Sequence, residues 1–226
     1  MTGHRTVARR RRWAALGTVL LTALLSSSIA AEPAAAANHV PISGVGSTWS
    51  FNAIDAWRQN IYANSRVVVR YTGVGSTTGR NQFKDDTVDF AASDIPYGVQ
   101  DGTSFDPPPK RGFAYMPDTA GGTTFMYNLV IAGHRVTNLR LSGAVIAGIF
   151  TRTITSWNDR AIQQDNPGLS LPAIAIVPVV RSDGSGATAQ FTQWMVATQG
   201  GAWTAFCAKT GRNPCTQTST YPVVDG

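Results

Sequence analysis

The chain has 226 residues, 43% of them hydrophobic, which allows a packed core and excludes global disorder. Its formal charge of +6 is concentrated at one end. Arg5, Arg9, Arg10, Arg11 and Arg12 open the chain, and from Asn38 onward 14 Lys and Arg face 12 Asp, a net charge of +2. A near-neutral body argues against nucleic acid as a partner, which needs a clustered basic face, and after residue 40 no apolar run approaches the ~20 residues that span a bilayer.

Residues 1–37 read as an export signal. Arg9 to Arg12 form the cationic start, Ala14 to Ile29 the apolar stretch, and Ala30 to Ala37 a small-residue region in which cleavage after Ala31 or Ala37 fits. No cysteine accompanies it, so a lipid anchor is not expected. The expectation is a secreted, extracytoplasmic chain. An uncleaved anchor is the alternative, and general and twin-arginine export both stay open.

The first element is a turn, Gly44-Val45-Gly46-Ser47-Thr48-Trp49, leading into a helix over Ser50 to Tyr62, where Phe51, Ile54, Trp57 and Ile61 recur near helical spacing. Val67 to Tyr71 reads as a strand and runs into a second turn, Gly73-Val74-Gly75-Ser76-Thr77-Thr78-Gly79. Val88 to Ala92 is a short strand that ends at Ser93-Asp94. Asp101 to Arg111, with Pro107-Pro108-Pro109, reads as a surface loop. Thr123 to Ala132 is predicted as a buried strand, Leu141 to Phe150 as a short apolar helix, and Ala173 to Val180 as a further strand made irregular by Pro178. A third turn, Arg181-Ser182-Asp183-Gly184-Ser185-Gly186-Ala187-Thr188, opens a helix over Ala187 to Thr198. The segment after Gly200 reads as loop. Strands alternating with helices predict an α/β fold with a largely parallel sheet. Cys207 and Cys215, the only cysteines, are expected to pair as a short-loop disulfide in an exported chain. No metal site is expected, since neither His39 nor His134 has a companion at ligand spacing.

The three glycine–hydroxyl turns carry the chemistry. The first amides of a helix lack an intrahelical acceptor, and the helix dipole adds positive potential there. Glycine lets a ligand approach the backbone, and Ser and Thr add hydroxyl donors. Any one such turn is equally an ordinary helix cap. Three converging at the ends of strands make a cage for a small oxyanion. Arg181 adds a clamp that Asp183 can orient. Asp94 fits such a cage only if the ligand still carries a proton, because a carboxylate accepts that proton and repels a fully ionised oxyanion.

These segments, taken in order, resemble the phosphate-binding component of phosphate ABC transporters. The resemblance rests on Gly44 to Trp49, Tyr71 to Ser76, Thr87 to Pro96, Ile149-Phe150 with Ile154 to Asp159, Asn166-Pro167-Gly168 with Leu171-Pro172, and Arg181 to Gly186. It implies a type II periplasmic-binding-protein-like fold of two lobes closing on a ligand cleft, here residues 38–122 and 123–226. It also implies that Thr48 and Trp49 supply hydroxyl and backbone donors and that Ser76 donates its hydroxyl. Asp94 would accept the proton of hydrogen phosphate and so exclude sulfate. Arg181 would pair with the anion, steadied by Asp183, and Ser185 and Gly186 would donate from the third turn. The implied partners are inorganic phosphate and an ABC permease, with no cofactor and a monomeric chain.

Two departures stand out: Ala187 replaces the family's threonine after the last Ser-Gly, and family members continue beyond the position of Gly226, so the first lobe is expected to be incomplete. Two other readings compete. A scaffold that has lost its ligand would serve as an interaction module. An exported phosphatase or serine hydrolase would use Ser76 or Ser185, but the sequence has no G-x-S-x-G elbow and His134 is its one plausible base.

Overall fold

A computed structural model describes residues 39–223. The expected export signal therefore lies outside the described residues. Contacts group Val40 and the chain that follows it into one unit.

The unit begins with a parallel sheet. Strand β1 (Ile42–Gly46) leads to helix α1 (Phe51–Ser65), β2 (Val69–Gly73), α2 (Ser76–Lys84) and β3 (Phe90–Ala92). The strand order is β2-β1-β3, with Gly46 opposite both Gly73 and Ala92. All three strands end at one edge, which delivers the first two glycine turns and the Ser93-Asp94 turn to the same place. The ring of Phe90 lies over Gly44, where a Cβ would collide with it, and stacks on Tyr71 at 5.9 Å. Glycine in the central strand thus makes room for an aromatic layer.

The predicted loop 101–111 is in part a hairpin: β4 (Val99–Asp101) pairs antiparallel with β5 (Ser104–Asp106). Gly102, at φ +61°, opens the two-residue connection, the position where such hairpins need a positive φ. Pro107 then ends β5.

The strand expected over Thr123 to Ala132 is reduced to β6 (Val130–Ile131), paired with β7 (His134–Arg135). Phe125, Tyr127 and Leu129 do alternate inward, but no strand among the described residues lies beside 123–129 to complete a ladder. The strand expected over Ala173 to Val180 is likewise absent. One isolated bridge, Ser156 with Ala175, is its only ladder contact, and Val177 and Val179 are exposed. Alternation reported which side chains face inward here, while strand formation needed a backbone partner that is not beside them.

Helix α3 (Gly143–Phe150) forms as expected and is capped by the Ser142 side chain; α4 (Arg160–Asp165) follows, capped by Asp159. Leu129, Val145, Ile149, Trp157, Ile162, Leu171 and Ile176 close one core cluster around them. Helix α5 (Gly186–Thr198) and α6 (Gly200–Lys209) build a second, with Ala147, Phe191, Met195, Trp203, Phe206 and Tyr221. Helix α6 corrects the loop expected after Gly200. Its two leading glycines read as a breaker, yet they occupy the first turn, while Trp203, Phe206 and Cys207 recur at helical spacing and are all buried. Cys207 and Cys215 form the expected disulfide. Burial pushes the Tyr221 phenol well above its ordinary pKa, and its hydroxyl donates to the Phe150 carbonyl at 2.9 Å. No described helix is long and apolar enough to cross a membrane.

Candidate functional site

The three turns meet. Ser47, Thr48 and Trp49 from the first, Gly75 and Ser76 from the second, Asp94, and Arg181, Ser185, Gly186 and Ala187 from the third line one cleft. It is a small cavity of about 20 Å³, partly open to solvent. That leaves room for a small ion and none for a nucleotide.

Each turn opens a helix, but only one of the three is capped by its own side chain. Ser185 accepts from the Thr188 amide at 3.3 Å and caps α5, whereas Ser50 before α1 and Gly75 before α2 offer no side-chain cap. None of the three helices carries an acidic residue in its first turn. The amides of Thr48, Ser76, Gly186 and Ala187 have no acceptor among the described residues. Uncapped helix starts facing one small cleft give it a positive potential without a net positive charge.

Asp94 sits among these donors. Ser47 Oγ donates to Asp94 Oδ1 at 2.7 Å, Ser76 Oγ lies 3.4 Å from Oδ2, and Gln190 Nε2 donates to the Asp94 carbonyl at 2.7 Å. Arg181 is exposed at the rim. Its Nε donates to Asp183 Oδ1 at 2.6 Å, and its NH1 donates to Thr48 Oγ1 at 2.9 Å, across 133 residues of sequence. The Asp183 hydrogen bonds raise the guanidinium pKa further, and Arg181 in turn holds the Asp183 carboxyl below the usual carboxylate range. With Arg181 matched by Asp183, the uncompensated full charge is the negative one on Asp94. An anion placed here is held by amide and hydroxyl dipoles, by the Arg181 N–H groups that Asp183 and Thr48 leave free, and by whatever proton it shares with Asp94.

Gly186 is fixed by this crowding. A Cβ there would fall inside contact distance of both Asp94 Oδ2 and Ser76 Oγ, so the third turn can close over the other two only without a side chain.

All eight residues singled out in the sequence lie in or beside the cleft: seven line it, and Asp183 stands behind Arg181. The Trp49 amide is engaged by Ser47 Oγ at 3.1 Å, and its ring packs on Gly121. The third turn, expected to follow a strand over Ala173 to Val180, follows instead a segment whose one ladder contact is the Ser156–Ala175 bridge. His134 lies exposed on β7 and is not among the residues lining the cleft.

Known proteins place this architecture. The PBP superfamily domain matches residues 29–221. The chain belongs to the PBP superfamily. Among curated relatives it is 37% identical over 158 residues to "Phosphate-binding protein PstS" of Xylella fastidiosa (strain Temecula1 / ATCC 700964), covering 69% of this chain and 41% of that one. It is 34% identical over 203 residues to "Phosphate-binding protein PstS 2" of Mycobacterium tuberculosis (strain ATCC 25618 / H37Rv), covering 84% and 53%. It is 35% identical over 156 residues to "Phosphate-binding protein PstS" of Pasteurella multocida (strain Pm70), covering 68% and 42%. The chain spans about half the length of the curated relatives it matches.

One lining residue of the cleft and one nearby carboxylate escaped the sequence reading. Ser47 is one, although a signal was present: Gly-Val-Gly-Ser-Thr occurs twice, at 44–48 and 73–77, and its two serines, Ser47 and Ser76, reach the two oxygens of Asp94. Asp118 is the other. Burial pushes its carboxyl above the ordinary range, and Asp94 adds to the effect, while the nearby Ser50 hydroxyl pulls the other way. Its Oδ1 has no hydrogen-bond partner, and neither has the buried Ser50 Oγ. Tyr71 feels the same surroundings; burial first, then Asp118 and Asp94, push its phenol up to about 12.

A raised carboxyl pKa costs stability wherever the group must ionise in the fold. Asp118→Asn is therefore expected to raise the melting midpoint at pH 7. The gain should shrink as pH falls through the native Asp118 titration and vanish below about 4, where the carboxyl is protonated in both states. Melting curves from pH 3 to 8 check this; a gain that persists at pH 3 contradicts it.

Proposed function

We propose that this chain is a solute-binding protein that captures inorganic hydrogen phosphate outside the cytoplasmic membrane for an ABC-type permease. The proposal includes a type II arrangement in which residues 38–122 and 123–226 are two lobes closing on the cleft, export directed by residues 1–37, a monomeric chain, and no catalytic step. The relatives' name, phosphate-binding protein, supports the ligand class.

The observation that carries the reading is Asp94, an uncompensated carboxylate in a cleft otherwise lined by donors. Such a residue weakens binding of every fully ionised anion. It strengthens binding of one that keeps a proton, because that proton forms a charge-assisted hydrogen bond of roughly 1.5–3 kcal/mol. At neutral pH phosphate keeps a proton and sulfate does not. Thr48 and Ser76 add hydroxyl donors, Gly186 and Ala187 add amides from the start of α5, and Ser185 adds its hydroxyl hydrogen while its oxygen caps the helix. Ala187 carries no hydroxyl, which removes one donor worth about 1 kcal/mol and leaves its amide in place.

Trp49 is 46% exposed at the cleft and reports on it. Titration of the chain with phosphate should change tryptophan emission and saturate at one equivalent. A chromogenic phosphate ester should not be hydrolysed. No saturable response to phosphate would overturn the reading.

A further inference from the structure

Behind the cleft lies a second polar cluster that no sequence motif marked. Arg80, on α2, is 2% exposed; its Nε donates to Asp106 Oδ2 at 2.6 Å and its NH1 to Ser93 Oγ at 2.9 Å. It thereby ties the β4–β5 hairpin to the turn that carries Asp94. At the other end of the hairpin Asp101 grips one residue twice: Ser219 N donates to Oδ1 and Ser219 Oγ to Oδ2, both at 2.6 Å. Ser219, itself 2% exposed, then holds two of the three glycine turns. Its carbonyl accepts from the Ser185 amide at 3.0 Å, and its hydroxyl accepts from Thr77 Oγ1 at 2.9 Å. The Thr77 amide in turn donates to the Gly184 carbonyl at 3.2 Å.

The segment around Ser219 has no regular structure, so its orientation is set by side chains rather than by a ladder. Among the described residues Asp101 is the one carboxylate bonded to it, while Thr192 Oγ1 holds the neighbouring Thr218 at its amide (2.8 Å) and its carbonyl (2.9 Å). Without the Asp101 grip Thr218 stays anchored but Ser219 loses both bonds to the hairpin, so its carbonyl can turn, the Ser185 amide loses its acceptor, and the start of α5 can pivot away from Ser76 and Asp94.

We propose that Asp101, acting through Ser219, is a positioning residue that sets the third turn against the second and so tunes ligand affinity from behind the cleft. The inference rests on the anion-binding reading of the cleft but can be tested apart from it. Asp101→Ala and the gentler Asp101→Asn, which keeps an acceptor for the Ser219 amide, are compared with wild type. Asp159→Ala serves as a control that removes the cap on the Ala161 amide (2.8 Å) at the start of α4, outside the cleft. Amide exchange is followed by NMR without ligand, and phosphate affinity by calorimetry.

The Ser185 amide is expected to exchange at least about tenfold faster in Asp101→Ala, with phosphate Kd raised on the order of tenfold at unchanged stoichiometry and Asp101→Asn in between. Asp159→Ala should lower the melting midpoint and move neither quantity, which separates positioning from general stability. If Asp101→Ala does not fold, Asp101→Asn decides. Wild-type Ser185 exchange in a folded Asp101 variant overturns the inference. So does faster exchange with unchanged phosphate Kd. A wild-type chain that ignores phosphate defeats the proposed function, and the exchange arm still decides whether Asp101 sets the turn.

Discussion

Replacing Arg181 by alanine is expected to weaken phosphate binding on the order of a hundredfold while leaving the fold nearly as stable. Among the described residues Arg181 is the only cation lining the cleft, and it lies at the rim with a side chain 43% exposed. Charge-assisted hydrogen bonds are worth roughly 1.5–3 kcal/mol each; two to one anion, discounted for exposure, give about 3 kcal/mol, or two decades in Kd. The loss has a second part. Asp183, now unpaired, is left as a further negative charge beside the ligand, so Arg181→Ala with Asp183→Asn should bind better than Arg181→Ala alone. Lysine should not substitute, because the fork that spans Asp183 and Thr48 is a guanidinium geometry. Acidification tests the pair from the other side. With Arg181 holding the Asp183 pKa down, the pairing persists as pH falls past the ordinary carboxylate value near 4 and is lost only below it, through the lowered native pKa. Calorimetry on the variants, with melting curves as the stability control, checks each step. Unchanged affinity in Arg181→Ala contradicts the account.

The second large effect is a change of selectivity. Asp94→Asn replaces an acceptor by a donor while keeping the shape, and Ser47 can still donate to the amide oxygen. Phosphate should lose the hydrogen bond through its own proton and bind roughly tenfold to a hundredfold more weakly. Sulfate, relieved of a facing carboxylate and offered an N–H, should bind where it did not before, so the ratio of the two affinities moves toward one. Competition titrations at fixed pH measure it. A variant that still prefers phosphate as strongly as wild type would remove Asp94 from the explanation.

Much of the site was legible because its chemistry is local. A glycine turn with hydroxyls ahead of an apolar period announces a helix start; α1 begins just after the first turn, and α2 and α5 begin within the second and third, at Ser76 and Gly186. Asp94 was legible because a carboxylate is out of place in such company. What was not legible depends on partners distant in sequence. Strand β1 carries two glycines in five residues and has little strand propensity; it is a strand because β2 and β3 flank it and Phe90 needs the space over Gly44. The segments 123–129 and 173–180 show the opposite failure, since apolar alternation does not supply a neighbouring strand. Ser219 and Asp101 lie 118 residues apart, and nothing in either neighbourhood marks them as a pair. Helix α6, by contrast, could have been read: its buried spacing at Trp203, Phe206 and Cys207 outweighs the two glycines that precede it.

The central claim is that the cleft distinguishes an oxyanion that keeps a proton from one that does not. Equilibrium dialysis of the wild-type chain against radiolabelled phosphate, with unlabelled phosphate or sulfate as competitor at pH 7, tests it most directly. The account predicts one bound phosphate per chain, displaced by phosphate and untouched by sulfate in large excess. Displacement by sulfate as readily as by phosphate, or no bound phosphate at all, would contradict it.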